Sequence, residues 1–296
     1  MKLTYLRYVF LLCTCFAMLQ ATSIKVIVSV LPQKEMIERI GGEYVQVEVL
    51  VPQGKSPEIY EPSIAQMKYI AQADIFFGVG MPFESPWLKR FSLANPSLIY
   101  YNLSTLAQMP QSHAHTTHIP IHNPHIWLSA QSMQPQVAFI ADILSKADVA
   151  HEDIFKHNST ELIKTLQTIT DKTRLLFGTP QAQKHFIVYH PAFEIFAKDF
   201  NLNEKSLENE GKEPKGKELS ALMQYARNHH IKAIFIQPQY AKSRVEMLAK
   251  ELNLRIIELD PLAPSWLLSL QSNACQIALN LALDEIASCM QQYFKE

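Results

Sequence analysis

The sequence predicts an α/β protein of two lobes, each with a mainly parallel sheet flanked by helices, joined by a long rigid helix. Three observations carry this. Short apolar, β-branched runs alternate with helical patterns, as parallel strands with helical crossovers require. The alternation is found twice, once in each half of the chain. Between the two series, residues 151–177 contain neither proline nor glycine, and apolar residues recur at Ile154, Leu162, Leu166, Ile169 and Leu176. At 296 residues the chain has room for two ordinary domains.

In the first half, Ile24 to Val30 reads as a strand, Gln33 to Ile40 as a helix and Val45 to Val51 as a strand. A turn-rich loop runs from Pro52 to Pro62, followed by a helix to about Ala71 and a strand at Asp74 to Gly78. A shorter helix around Trp87 and a strand at Leu98 to Tyr101 complete this half. In the second half, Phe186 to Tyr189 is a strand and Ala192 to Phe200 a helix. Lys217 to Asn228, Ser243 to Leu252 and roughly Leu270 to Tyr293 are helices, and Ala233 to Ile236 and Arg255 to Leu259 are strands. The middle stretch, read as one helix, reaches about 40 Å; two helices broken near Asn158-Ser159 are the alternative. The expected domains are therefore a first lobe over residues 22–150, a linking helix over 151–178 and a second lobe over 179–296. Two loops have biased composition: Met109 to Asn123, rich in histidine, threonine and proline, and Asn203 to Lys217, a charged segment expected to be a solvated surface loop.

Lys2 and Arg7 precede an apolar run, Tyr8 to Leu19, that closes in small and polar residues around Ala21. The run is shorter than the ~20 residues of a membrane span, and a basic start with a short apolar core marks residues 1–21 as a secretory signal peptide. The protein is thus expected in the periplasm. Leu12-Cys13-Thr14-Cys15 leaves lipid anchoring as a minor alternative. Beyond the signal peptide only Cys275 and Cys289 remain. On one continuous helix they would lie about 21 Å apart, which excludes a disulfide, since that bond needs Cα atoms within about 7 Å. Charge is balanced, with 27 basic and 28 acidic residues, and no basic face points to nucleic acid.

Candidate chemistry gathers in four places. Ligands of open parallel sheets bind outside the carboxyl ends of the strands, and each place follows a strand or lies in a turn-rich loop. Glu58 is braced by prolines in Pro57-Glu58-Ile59-Tyr60-Glu61-Pro62; alone, such a glutamate is ordinarily solvated. His125 is set in Asn123-Pro124-His125-Ile126-Trp127, where a structural histidine is the alternative. His190 ends a buried strand in Val188-Tyr189-His190-Pro191. Asp260 stands in Leu259-Asp260-Pro261-Leu262, where an N-cap is the alternative.

With Ser63-Ile64-Ala65-Gln66-Met67-Lys68, Ala73-Asp74-Ile75-Phe76-Phe77 and Trp87-Leu88-Lys89, these stretches resemble the periplasmic solute-binding proteins of zinc and manganese ABC importers. The resemblance covers essentially the whole chain after the signal peptide. It implies one divalent ion in an interlobe cleft, held by Glu58 and His125 from the first lobe and by His190 and Asp260 from the second. It also implies delivery to the membrane permease of an ABC transporter, by a chain expected to be monomeric. The sequence departs from zinc-binding relatives at Glu58, where they typically carry histidine. Zinc accepts carboxylate oxygen, but two carboxylates and two imidazoles also suit manganese. Glu61 or water is the alternative occupant of that ligand position. His113, His115, His118 and His122 weigh toward zinc as an accessory metal loop, since imidazoles favour it. His229 and His230 end a helix and read as charge partners of its C-terminus.

The expectation is Zn(II) as transported ligand, with Mn(II) as the alternative, and no enzymatic activity. A catalytic zinc keeps an open position, and no metalloprotease, nucleophile-elbow or Cys-His motif is present. A metal-dependent hydrolase, an adhesin and a binder of iron chelates are the competing readings, the last requiring a wide cleft.

Overall fold

The structure, a computed structural model, describes residues 23–108, 123–208, 212 and 214–295. The first sheet contains β1 (Ile24–Val28), β2 (Val45–Val49), β3 (Ile75–Gly78) and β4 (Ile99–Asn102), all parallel and ordered β2-β1-β3-β4. α1 (Leu31–Gly41), α2 (Ile64–Ile70) and α3 (Glu84–Ala94) connect them. The second sheet contains β5 (His185–Val188), β6 (Asn203–Ser206), β7 (Ala233–Ile236) and β8 (Arg255–Glu258), parallel and ordered β6-β5-β7-β8. Its connections are α6 (Glu194–Asp199), α7 (Lys217–Asn228) and α8 (Ser243–Leu252). The central strands β3 and β7 are buried at every residue, which is why they read as unbroken apolar runs rather than as alternation.

Between the sheets run α4 (Ala130–Ala147) and α5 (Glu152–Gly178). α5 is one continuous helix of 27 residues. Phe155, Ser159, Leu162, Leu166, Ile169, Thr173 and Leu176 are buried along it at three- and four-residue spacing, so one stripe faces the core. Glu152 and Asp153 in its first turn suit the positive end of the helix dipole. Asn158 does not break the helix; its amide donates outward to the Ile40 carbonyl at 3.0 Å, near the end of α1. α5 packs on α1, on α4 and on α9 (Trp266–Leu279), and one apolar core extends through both lobes. A second, smaller core lies between the second sheet and α7 and α8.

Each sheet reverses its strand order between its first and third strands in sequence, β1 and β3 or β5 and β7, and there a crevice opens at the carboxyl ends. In the first lobe that crevice is filled by Glu84, a buried carboxylate. It accepts hydrogen bonds from the Ser29 hydroxyl (2.7 Å), the N–H groups of Val79, Gly80 and Met81, and the Tyr100 hydroxyl (2.7 Å). Gly78 leaves room for it, since a Cβ there would lie 2.3 Å from the Glu84 carboxylate. The second lobe's crevice, between β5 and β7, holds no buried carboxylate of this kind among the described residues; His190 and the buried Gln237 follow its two strands.

Three sequence expectations are corrected. The last helix does not run from Leu270 to Tyr293. α9 ends at Leu279, Asn280 takes a left-handed φ of 55°, and the chain turns back through Ala287–Cys289 and a π-turn over Met290–Phe294. Cys275 and Cys289 are therefore 6.0 Å apart at Cα and form the disulfide that a straight helix would forbid. The segment Asn203 to Lys217 is not wholly a surface loop: its first four residues are the edge strand β6, and Glu208 is buried. α4, to which the sequence reading assigned no element, is an 18-residue helix capped by the Ser129 hydroxyl.

His229 caps the C-terminus of α7 and stacks on His185 at 3.7 Å, while His230 takes a φ of 52°. The expected signal peptide and the histidines at 113, 115, 118 and 122 lie outside the described residues. Among the described residues no helix is long and apolar enough to cross a membrane.

The disulfide closes a loop with a sequence separation of 14, so Cys289→Ala is expected to lower unfolding stability by about 3 kcal/mol. Denaturant titration of the parent and the variant, with and without reductant, measures this. Equal midpoints for parent and variant under oxidising conditions would contradict it.

Candidate metal centre

Glu58 stands in the loop after β2. The Gln66 side chain braces that loop: its Oε1 accepts from the Tyr60 hydroxyl at 2.7 Å and from the Ser63 N–H at 2.8 Å, while its Nε2 donates to the Leu50 carbonyl. The Glu58 N–H donates to the Ser56 hydroxyl at 3.3 Å. His125 is buried, just before a short 3-10 turn, Ile126–Leu128. His190 follows β5 where the second crevice opens, and Asp260 follows β8.

Glu58, His125 and His190 converge: each offers one ligand atom, and these atoms all lie within 4.8 Å of one another. A tetrahedral ion at about 2.0–2.1 Å holds its ligand atoms roughly 3.3 Å apart. Glu58 Oε1 and His190 Nε2, at 3.5 Å, are near that spacing. Asp260 does not join this group. Its Oδ1 accepts from the Leu262 N–H at 2.9 Å and from Gln239 Nε2 at 3.3 Å, although its neighbours Pro261 and Leu262 line the same cavity. Glu61 is exposed and outside the group.

Each histidine is oriented by a partner on its other nitrogen. His125 Nδ1 lies 2.6 Å from Asn123 Oδ1, which also accepts the His125 backbone N–H at 3.0 Å. A backbone N–H can only donate, so this atom is the amide oxygen, and Nδ1 donates to it. His190 Nδ1 donates to Glu208 Oε2 at 2.6 Å. In the neutral form of both rings Nε2 is thereby left with the lone pair that a metal requires; His190 Nε2 is buried with no formed hydrogen bond, the Glu58 carboxylate standing 3.5 Å away. Buried polar atoms are normally satisfied, so this one marks a place prepared for something else.

The charges are unequal. Burial, and then the nearby His190, press the His125 pKa down to about 3, so this ring stays neutral. Burial alone would lower His190 too, but the carboxylates of Glu58 and Glu208, one facing each ring nitrogen, outweigh it and raise its pKa. The result is a pocket in which two carboxylates flank one imidazole held toward its protonated form, beside a second imidazole held neutral.

The cavity is small, about 20 Å³, lined by Ser56, Glu58, His125, His190, Gln237 and Tyr240 among others. That is room for about one water-sized body, whereas organic ligands occupy about 300–1,000 Å³. A bare ion fits; a metabolite or an iron chelate does not.

Sequence reading missed Glu208, Asn123 and Gln237. Asn123 could have been suspected from its place two residues before His125, a spacing that allows an Asx turn. Glu208 carried no usable signal, because β6 (Asn-Glu-Lys-Ser) is polar throughout, as an edge strand can be, and hides the burial that begins after it.

The fold and the pocket together define a two-lobed, metal-binding solute-binding protein. Residues 26–279 match the family described as ZnuA, zinc-uptake complex component A, periplasmic, and the chain belongs to that family. It is 28% identical over 261 residues to the zinc-binding protein AdcA of Streptococcus pyogenes, covering 81% of this chain and 50% of that protein. The chain thus spans about half the length of AdcA. A crystal structure of ZnuA superimposes with a TM-score of 0.77 at 30% identity, covering 86% of this chain and 98% of that one. A ZnuA deletion mutant with zinc bound gives 0.78 at 31% identity, covering 86% and 96%.

Partners that orient a liganding histidine typically contribute 10–100-fold to metal affinity. Glu208→Ala is accordingly expected to weaken metal binding by about that factor in a chelator-competition titration. Unchanged affinity would show that Glu208 is only a structural neighbour.

Proposed function

We propose that this protein is an exported carrier that captures Zn(II) in the interlobe cavity and delivers it to the permease of an ABC importer. The ligands are Glu58 and His125 from the first lobe and His190 and Asp260 from the second. The observation that carries the reading is the convergence of Glu58, His125 and His190, with both Nδ1 atoms already engaged, on a cavity of ion size. Two imidazoles favour zinc, as do the zinc named in the family description and the zinc-bound structural neighbour. Asp260 completes the set when its free oxygen turns to the ion, and its charge with that of Glu58 balances a divalent cation. Four protein ligands leave no open position for an attacking water, so the activity is binding and not hydrolysis. Residues 1–21 direct export, and the His113–His122 loop serves as an accessory gatherer of the ion.

Mn(II) is the second reading, favoured by the carboxylate at Glu58. Metal analysis of protein purified from the periplasm, followed by competitive titration, separates the two; preference for manganese would overturn zinc while leaving the carrier role. His190→Ala is expected to abolish tight binding and Glu58→Ala to weaken it strongly, with Glu58→His retaining it. If Glu58→Ala binds as the parent does, Glu58 is not a ligand.

Metal must displace the proton of any protonated ligand. His190, with its raised pKa, carries one as pH falls through and below the usual histidine range, whereas His125 stays neutral down to about 3. Apparent affinity is therefore expected to fall with decreasing pH with a slope near one proton across pH ~5–7. A slope near two would mean that both histidines titrate.

A further inference from the structure

The segment Gln237–Tyr240 follows β7 and contains none of the proposed ligands, yet it reaches three of them. Gln237 is buried, and its carboxamide clasps the main chain of His190. Oε1 accepts the His190 N–H at 3.1 Å, and Nε2 donates to the His190 carbonyl at 2.7 Å. β5 and β7 pair as far as Val188 and Phe235, and the Tyr189 N–H still reaches the Phe235 carbonyl at 2.7 Å. His190 lies beyond that ladder, and the Gln237 side chain supplies the two bonds that a continuing strand would have made. With both ends of its amide committed to this main chain, Gln237 lines the cavity without having a ligand atom to offer.

The rest of the segment acts on the other ligands. Gln239 Nε2 donates to Asp260 Oδ1 at 3.3 Å. The Tyr240 ring stacks on the His190 imidazole at 5.7 Å and 29°. Its hydroxyl is directed toward Ser56, which lines the same cavity and whose oxygen accepts the Glu58 N–H at 3.3 Å. The turn itself is stiff, closed by the Tyr240 N–H on the Gln237 carbonyl at 3.0 Å and restricted by Pro238.

We propose that the Gln237–Tyr240 turn is the positioning element of the metal site. It orients His190 and Asp260 in the second lobe and, through Tyr240 and Ser56, ties the Glu58 loop of the first lobe to them. This rests on the reading of Glu58, His190 and Asp260 as ligands. Binding sites must be held to within about 0.5 Å, and a histidine at a strand end has a free main chain unless something replaces the ladder. The turn does so for His190 and transmits the same constraint across the cleft.

The test uses the full chain, with Co(II), whose visible absorption reports ligand geometry, and Zn(II), whose transfer to excess chelator reports release. Gln237→Met is expected to weaken Zn(II) binding at least about tenfold and to shift the Co(II) bands. Tyr240→Phe keeps the ring and removes only the hydroxyl; it is expected to release Zn(II) several-fold faster with the metal-free unfolding midpoint unchanged. Ser56→Ala combined with Tyr240→Phe should release no faster than Ser56→Ala alone, because the two residues act through one contact. Should Gln237→Met fail to fold, Tyr240→Phe decides the matter. A parent-like Co(II) spectrum in folded Gln237→Met, or parent-like release from Tyr240→Phe, overturns the proposal. His190→Ala is the separate control. Parent-like binding there refutes the ligand assignment itself, whereas loss there beside parent-like turn variants refutes only the role of the turn.

Discussion

The indole N–H of Trp127, buried and bonded at 2.7 Å to the carbonyl of Pro261, joins the two lobes where the cleft is built. Trp127 is two residues from His125, and Pro261 is the neighbour of Asp260, so this single bond sets one side of the cleft against the other. Trp266 reinforces it by donating from its own indole to the Trp127 carbonyl at 2.8 Å. A buried donor that loses its acceptor costs about 1–3 kcal/mol, so lobe separation is opposed at the cleft floor as well as along α5. The hydroxyls of Ser129 and Ser132 add to the same seam by donating to Asp199. Asn123, while holding His125, also donates to Glu194 across the cleft at 3.2 Å. A molecule tied in this way supports small adjustments of ligands and not a wide swing of lobes.

This rigidity explains the division of labour between the two sheets. The first lobe closes its own crevice with Glu84 and presents Glu58 and His125 from segments braced locally by Gln66 and Asn123. In the second lobe His190 stands at the mouth of the crevice, bonded there by the buried Gln237 side chain. The pocket between the two lobes gathers negative charge without collapse. Glu58 and Glu208 provide the charge, and His190 between them relieves it by holding a proton with a raised pKa.

Much of the architecture was legible in the sequence because parallel strands buried on both faces are apolar throughout. Ala233–Ile236, Lys217–Asn228 and Ser243–Leu252 were read with the bounds the structure has, and so, within a residue, was α5. What failed did so for local reasons. The polar edge strand β6 carries no apolar pattern, so it was read as loop, and Glu208 with it. The left-handed turn at Asn280 interrupts an apolar stretch without glycine or proline to announce it, which made one helix of two segments and hid the Cys275–Cys289 bond. Glu58, His125 and His190 were singled out from their places after strands and in braced loops, and the fold brings them together.

Residue chemistry and order along the chain were therefore enough to determine the two-sheet class and the long helix and to single out Glu58, His125, His190 and Asp260 as candidates. The convergence of the first three without Asp260, the engagement of both Nδ1 atoms and the ion-sized cavity were decided only by tertiary structure. These depend on atoms far apart in sequence: Glu208 against His190, Gln237 against the His190 main chain, Trp127 against Pro261. Periodicity reports which face of an element is buried, but it carries no information about which distant side chain meets it there.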